Sequence, residues 1–141
     1  MKIAIISSAF WEEIVTNLEN ECIATLEKNG VTKNNIEIFR VPGSFEIPLT
    51  AKKLAQKKYD AIVAFGAIHK GETYHFELIA NECARGCMKV MLDHQIPVIF
   101  EVLAVYDIAD AVKRSQPNTA LNKGAEAAQA AIKMINLLGK I

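Results

Sequence analysis

The stretch YDAIVAFG, residues 59–66, decides the fold class. It is apolar over nearly its whole length, which is typical of a central β-strand that is covered on both faces. Such strands belong to parallel sheets, because the helices that connect parallel strands cover both sides of the sheet. The stretch therefore predicts an α/β protein.

On either side of this strand, the apolar residues alternate between strand and helix patterns. Further strands are predicted at Lys2–Ser7, Asn35–Val41 and Pro97–Val105. Helices are predicted at Phe10–Lys28, Ser44–Lys58, Thr73–Asp93, Ile108–Arg114 and Gly124–Leu138. Strands that alternate with helices through short connections predict a single domain over residues 1–141. We expect a three-layer α/β/α sandwich around a four-stranded, mainly parallel sheet of the flavodoxin-like type.

Composition narrows the classes of function. The 141 residues include 16 Lys and Arg and 16 Asp and Glu, and 51% are hydrophobic. Zero net charge argues against a nucleic-acid binder, which needs a basic surface. No apolar run reaches the roughly 18 residues of a membrane span, and the apolar start is too short for a signal peptide. We therefore expect a cytoplasmic protein with no nucleic-acid or membrane partner. Because the net charge is zero, copies of the chain repel one another little, which favours self-association.

The three cysteines, Cys22, Cys83 and Cys87, lie inside helical patterns. We interpret them as buried thiols of a reducing compartment. Cys83 and Cys87 share a helix face, so a metal site completed by a histidine is the alternative. A second pair of ligands is missing from the sequence, and we predict no metal site.

In open parallel sheets, ligands bind beyond the carboxyl ends of the strands, near a switch point in the strand order. Four segments of this chain follow the predicted strands at that edge. They are Ser7–Trp11, Val41–Glu46, Gly66–His75 and Phe100–Asp107.

The third segment contains GAIHKGET, residues 66–73, which fits the P-loop spacing GxxxxGK[ST] except that Glu72 replaces the lysine. A carboxylate at that position repels phosphates, so nucleotide hydrolysis is excluded. The group Gly71–Thr73 still offers free N–H groups and a hydroxyl where a helix begins, which suits one phosphate. An ordinary capped helix start is the alternative interpretation.

His75 follows in the predicted first turn of this helix. The positive end of a helix favours a neutral histidine, which can accept and return a proton near pH 7. We therefore predict a general acid–base role for His75, with plain packing as the alternative. His69, on the same loop, is a weaker candidate.

Aromatic and acidic residues stand at the carboxyl ends of the first two strands. Phe10 and Trp11 either stack on a planar heterocycle or begin the core face of the next helix. In VPGSFEIP, residues 41–48, Phe45 and Glu46 project near the same edge. A carboxylate beside an aromatic ring suits a donor-rich ring or a polyol.

The last part of the chain contributes one aromatic residue and two basic residues to the predicted site. Phe100 in the fourth strand can cap the same pocket. Arg114 and Lys123 can bind a phosphate, Arg as a bidentate donor and Lys as a point charge. Solvated surface residues are the alternative for both.

Taken in order, these motifs resemble the lumazine synthase family over nearly the whole chain. They are SAF (8–10), VPGSFEIP (41–48), YDAIVAFGAIHKGETYHF (59–76), PVIFEVL (97–103) and NKGAEAA (122–128). The resemblance implies condensation of 5-amino-6-ribitylaminouracil with 3,4-dihydroxy-2-butanone 4-phosphate to give 6,7-dimethyl-8-ribityllumazine, without a cofactor.

The resemblance also implies roles for single residues. Phe10 stacks on the pyrimidine ring, the turn at Ser44 and Glu46 binds the ribityl chain, and His75 transfers protons. The implied substrate-binding residues are Phe10, Trp11, Gly43, Ser44, Phe45, Glu46, Ala67, Ile68, Phe100 and Lys123. The implied phosphate-binding residues are Gly71, Glu72, Thr73 and Arg114.

In the family, the pocket lies between neighbouring subunits of a homopentamer, and a larger shell of pentamers is a further option. This chain departs from the family pattern where Glu101 replaces a glycine and Ala104 a threonine. Lys70 stands where arginine is frequent, and Trp11 where asparagine is frequent. A non-catalytic lumazine- or flavin-binding protein, or a shell-forming protein, on the same scaffold is therefore the alternative.

Overall fold

The apolar stretch forms the central strand of the fold in the computed structural model, which describes residues 1–141. This strand, β3, spans Ala61–His69, and all of its residues except His69 are buried. It pairs with a strand on each side, and its apolar side chains enter two cores, one on each face of the sheet.

The sheet has four strands in the order β2–β1–β3–β4, and every pair is parallel. The other strands are β1 (Ile3–Ser8), β2 (Ile36–Val41) and β4 (Val98–Val105). The predicted parallel α/β sheet is confirmed. Because β1 pairs with both β2 and β3, the strand order reverses there and leaves a crevice beyond the carboxyl ends of β1 and β3.

Helices cover both faces of the sheet. The first face carries α1 (Glu12–Lys28), α4 (Ile108–Ser115) and α5 (Lys123–Leu138), and the second carries α2 (Ile47–Ala55) and α3 (His75–His94). Side chains of β1 alternate between the two resulting cores, Ile3 and Ile5 on one side and Ala4 and Ile6 on the other. None of the helices is both long and apolar enough to cross a membrane.

The cysteines lie in these cores as free, buried thiols, as predicted. Burial, with the charges of Glu19 and Glu101, raises the pKa of the Cys22 thiol to about 12. No group of three His, Cys, Asp or Glu side chains is placed to hold a metal ion.

Several predicted ends of elements are shifted near the ligand-binding edge. Helix α1 begins at Glu12 instead of Phe10, because Trp11 adopts a left-handed conformation with φ 55°. Ser44–Glu46 forms a 3₁₀ turn ahead of α2. Helix α3 begins at His75, two residues later than predicted, so Gly71–Thr73 lies in the loop before it.

Strand β3 ends three residues later than predicted, because its last residues continue to pair with β4. His69 lies opposite Val105 in this register.

Candidate active site

A pocket of about 390 Å³ lies beyond the carboxyl ends of β1 and β3, at the switch point of the sheet. The residues that line it are Phe10, Trp11, Gly43, Ser44, Phe45, Glu46, Ala67, Ile68, His69, His75 and Ile79. Three of the four segments expected at this edge meet in it. Its volume falls within the range of small-molecule sites.

Aromatic rings form one side of the pocket. Phe10 is 67% exposed, and Trp11 is also exposed, so neither ring is part of the core beneath α1. The left-handed backbone at Trp11 turns the chain between β1 and α1. The Trp11 ring meets the His69 ring edge to face, with centroids 6.1 Å apart. An exposed aromatic face at a pocket mouth is suited to stacking on a planar ligand.

The turn after β2 brings a carboxylate next to the Phe10 ring. A Cβ atom at Gly43 would lie 3.2 Å from Glu46 Oε2 and 3.5 Å from the Phe10 ring. The glycine therefore lets the carboxylate, the ring and the backbone approach one another closely. The Glu46 N–H closes the turn by donating to the Gly43 carbonyl at 3.3 Å. A carboxylate beside a ring can accept hydrogen bonds from a ligand that stacks there.

Helix α3 supplies the other wall through His75 and Ile79. These residues are four apart and so share one helix face. The His75 N–H lies 3.4 Å from Thr73 Oγ1, which joins the helix start to the preceding loop. Gly71, Glu72 and Thr73 are exposed and stand outside the pocket lining.

The loop that carries Gly71–Thr73 is fixed by Lys70. Its N–H donates to the Val105 carbonyl at 2.9 Å, and its ammonium group lies 2.6 Å from Glu77 Oε1. This pairing raises the pKa of Lys70 and lowers that of Glu77. The same ammonium group lies 5.6 Å from the centre of the Tyr106 ring.

The remaining predicted residues, Phe100, Arg114 and Lys123, do not line this pocket. Arg114 donates to the carbonyl of Asp110 at 3.0 Å, and Lys123 lies 2.7 Å from Glu126. Phe100, on the edge strand β4, is 38% exposed. The structure of one chain therefore keeps these three residues apart from the pocket.

Glu101 lies next to Phe100 on β4 and is half-buried. Burial, helped by the negative charge of Glu126 and opposed by the positive charge of Lys123, raises the pKa of its carboxyl to about 7. A carboxyl that titrates near neutral pH thus lies close to Lys123.

The chain matches the model of the 6,7-dimethyl-8-ribityllumazine synthase family over residues 1–139. The chain belongs to this family. The prediction made from the sequence motifs is thereby confirmed. Members of the lumazine synthase family are transferases, and lumazine synthase activity in riboflavin biosynthesis is the function that the family supports.

Of the pocket residues of this lumazine synthase family member, Ile79 was not predicted, and His69 was predicted only as a weaker acid–base candidate. Ile79 is detectable from the sequence, because it follows His75 by four residues on a helix. His69 entered the pocket because β3 extends further than its apolar run. Its position depends on pairing with β4, which a local sequence pattern does not reveal.

Proposed function

We propose that the protein condenses 5-amino-6-ribitylaminouracil with 3,4-dihydroxy-2-butanone 4-phosphate, giving 6,7-dimethyl-8-ribityllumazine, phosphate and water. The observation that carries the proposal is the meeting of Phe10, Glu46 and His75 in one pocket of a chain from this family. Together they offer a stacking face, a carboxylate acceptor and an acid–base group.

The reaction needs positioning and proton transfer more than a protein nucleophile. The 5-amino group of the pyrimidine attacks the ketone carbonyl, and loss of water gives an imine. Elimination then releases phosphate, and the ribityl-bearing amine closes the second ring with loss of another water. Phe10 stacks on the pyrimidine, Glu46 accepts hydrogen bonds from the ribityl side, and His75 takes up and returns the protons.

The phosphate group is assigned to Gly71, Glu72 and Thr73 together with Arg114. The loop N–H groups and the Thr73 hydroxyl suit a phosphate oxygen, and Arg114 supplies the positive charge. Because Arg114 and Lys123 lie outside the pocket of their own chain, we propose that a neighbouring copy donates them together with Phe100. A homopentamer of single-domain chains in the cytoplasm fits this arrangement, with or without assembly into a larger shell.

The decisive experiment incubates the purified protein with both substrates and follows the absorbance of the lumazine product. We expect product to form faster than in the protein-free mixture, and only when both substrates are present. A rate equal to that of the protein-free mixture would refute the proposal.

A second candidate function is non-catalytic binding of a lumazine or flavin. It is favoured by Glu101, whose carboxyl lies close to Lys123 where the family usually has glycine. Tight riboflavin binding without turnover would support this candidate. Assembly without any ligand binding would instead indicate a shell-forming protein.

A further inference from the structure

Two adjacent serines on β1 differ in the hydrogen bonds that their hydroxyl groups make. Ser7 and Ser8 are both buried, and Ser8 is only 2% exposed. Ser7 Oγ donates to Glu19 Oε2 at 2.6 Å, on the α1 side of the sheet. Ser8 Oγ points to the opposite face and has no hydrogen-bond partner. A buried hydroxyl without a partner is costly, so this one needs an explanation.

Gly66 on β3 lies beside this orphaned hydroxyl. A Cβ atom at Gly66 would lie 2.7 Å from Ser44 Oγ and 3.1 Å from Ser8 Oγ. The two hydroxyl groups therefore converge on the side of Gly66 that carries only hydrogen. Any larger residue at this position would fill the space between them. Ser44 also lines the pocket, whereas Ser8 is not among the residues that line it.

We propose that Ser8 is a positioning residue that acts through Ser44 on a hydroxyl group of the bound polyol chain. A ligand hydroxyl donates to Ser44 Oγ, and the Ser44 side chain rotates about χ1 so that its hydroxyl donates to Ser8 Oγ. A hydroxyl group rotates freely and can donate and accept at once, so this chain needs no other protein group. Binding thereby satisfies the Ser8 hydroxyl that is unsatisfied in the free protein.

The chemistry of the pocket favours a polyol hydroxyl as the partner. Ser44 belongs to the same turn as Glu46, which presents a second acceptor to the pocket. Two neighbouring oxygen acceptors suit a chain that carries several O–H donors. A site that leaves a polar group unpaired discriminates against ligands that lack the matching hydroxyl. The inference rests on the proposed function, in which the ribityl chain occupies this turn.

The test compares Ser8→Ala with Ser7→Ala, since both variants remove a buried hydroxyl from the same strand. Two ligands are used: a pyrimidinedione that carries the ribityl chain, and the same ring with a methyl group in place of the chain. In Ser8→Ala we expect the preference for the ribityl ligand to fall by roughly five- to tenfold, about the effect of one hydrogen bond. The Tm of the ligand-free protein should stay level or rise, because an unsatisfied group has been removed.

Ser7→Ala should behave in the opposite way. Its Tm should fall because Glu19 loses a buried partner, while the preference for the ribityl ligand stays at the wild-type value. An unchanged preference in Ser8→Ala would overturn the inference, whatever its Tm. If the wild-type protein binds neither ligand, the proposed function itself fails, and the inference fails with it.

Discussion

Glu101 places a half-buried titratable group on β4, next to Phe100. The charged side chains that affect its pKa are Glu126 and Lys123 of α5. In the folded chain, burial raises the pKa of this carboxyl from 4.5 to about 7. The folded state therefore keeps a proton that the unfolded chain has already released, and folding stability falls as the pH rises through this range.

We predict that Glu101→Gln removes this pH dependence. Between about pH 5 and about pH 8, the Tm of the wild type should fall by about 2–4 °C more than that of the variant. Solvent on the exposed side of the carboxyl keeps the effect small. Thermal unfolding of both proteins at the two pH values provides the measurement. Parallel Tm changes would contradict the assignment of a near-neutral carboxyl to Glu101.

The sequence predicted most single residues of the pocket, because parallel strands end at the same edge of the sheet. Phe10, Glu46 and His75 each follow a different strand, and the structure brings them together. The left-handed backbone of Trp11 was not predictable, since only a few percent of non-glycine residues adopt it. Such a conformation is selected by the surrounding fold rather than by the residue itself.

At the scale of elements, helices α1 and α5 pack backbone against backbone at the start of α5. A Cβ atom at Gly124 would lie 1.9 Å from the Leu18 carbonyl oxygen of α1. The helix backbones can approach this closely only where a side chain is missing. Helix α5 could therefore be predicted from its apolar pattern, but its tight packing on α1 could not, because that contact is long-range.

We predict that Gly124→Ala lowers the free energy of unfolding by about 3 kcal/mol, the upper end of the usual cost of overpacking. Gly139→Ala at the other end of α5 is the matched control, since its Cβ would make an ordinary contact of 3.5 Å with the Ile135 carbonyl oxygen. That control should change the value by less than about 0.5 kcal/mol. Urea unfolding at one protein concentration measures both, and equal effects would argue against the close packing.

The loop between β3 and α3 is the second element-scale prediction. Lys70 pairs with Glu77 of α3 and lies 5.6 Å from the Tyr106 ring, so one side chain joins the loop to both neighbouring segments. In Lys70→Gln and in Tyr106→Ala, we expect exchange of the amide at position 70, which donates to the Val105 carbonyl, to become roughly tenfold faster. Tyr106→Phe should retain slow exchange, because the ring remains.

The control for this loop is Lys89→Gln, which breaks an ion pair of 2.7 Å with Asp93 at the far end of the same helix. Exchange of the amide at position 70 should keep its wild-type rate in this variant. Mass spectrometry of the exchanged peptides provides the readout. Equal acceleration in Lys89→Gln would mean that the whole helix has loosened and that Lys70 has no special role.

For the whole molecule, the main feature is the separation of the predicted site into two parts. Phe10, Glu46 and His75 line the pocket, whereas Arg114 and Lys123 stand outside it. The sequence predicts both parts, because each lies on a local motif. The sequence does not predict the distance between the two parts, because in the proposed assembly that distance depends on how two copies of the chain pack together.

This division predicts complementation between two impaired variants. His75→Ala should lower kcat by about 100-fold through loss of proton transfer, and Arg114→Ala should mainly raise KM for the phosphate substrate, by about 10-fold or more. The His75→Ala chain keeps its Arg114, and the Arg114→Ala chain keeps an intact pocket. In a ring whose interfaces are head to tail, every site combines the pocket of one copy with the Arg114 of the next.

Refolding the two variants together in equal amounts should therefore restore activity. Half of the pockets and half of the donated arginines are then wild type, so about a quarter of the sites are intact. His75→Ala mixed with Phe10→Ala is the matched control: both changes lie on the pocket half, and no complete pocket can form. Activity measured at subsaturating phosphate substrate distinguishes the cases. If mixed rings form without recovery, Arg114 acts within its own chain or outside the site, because a donated arginine must rescue a neighbour whose pocket is intact.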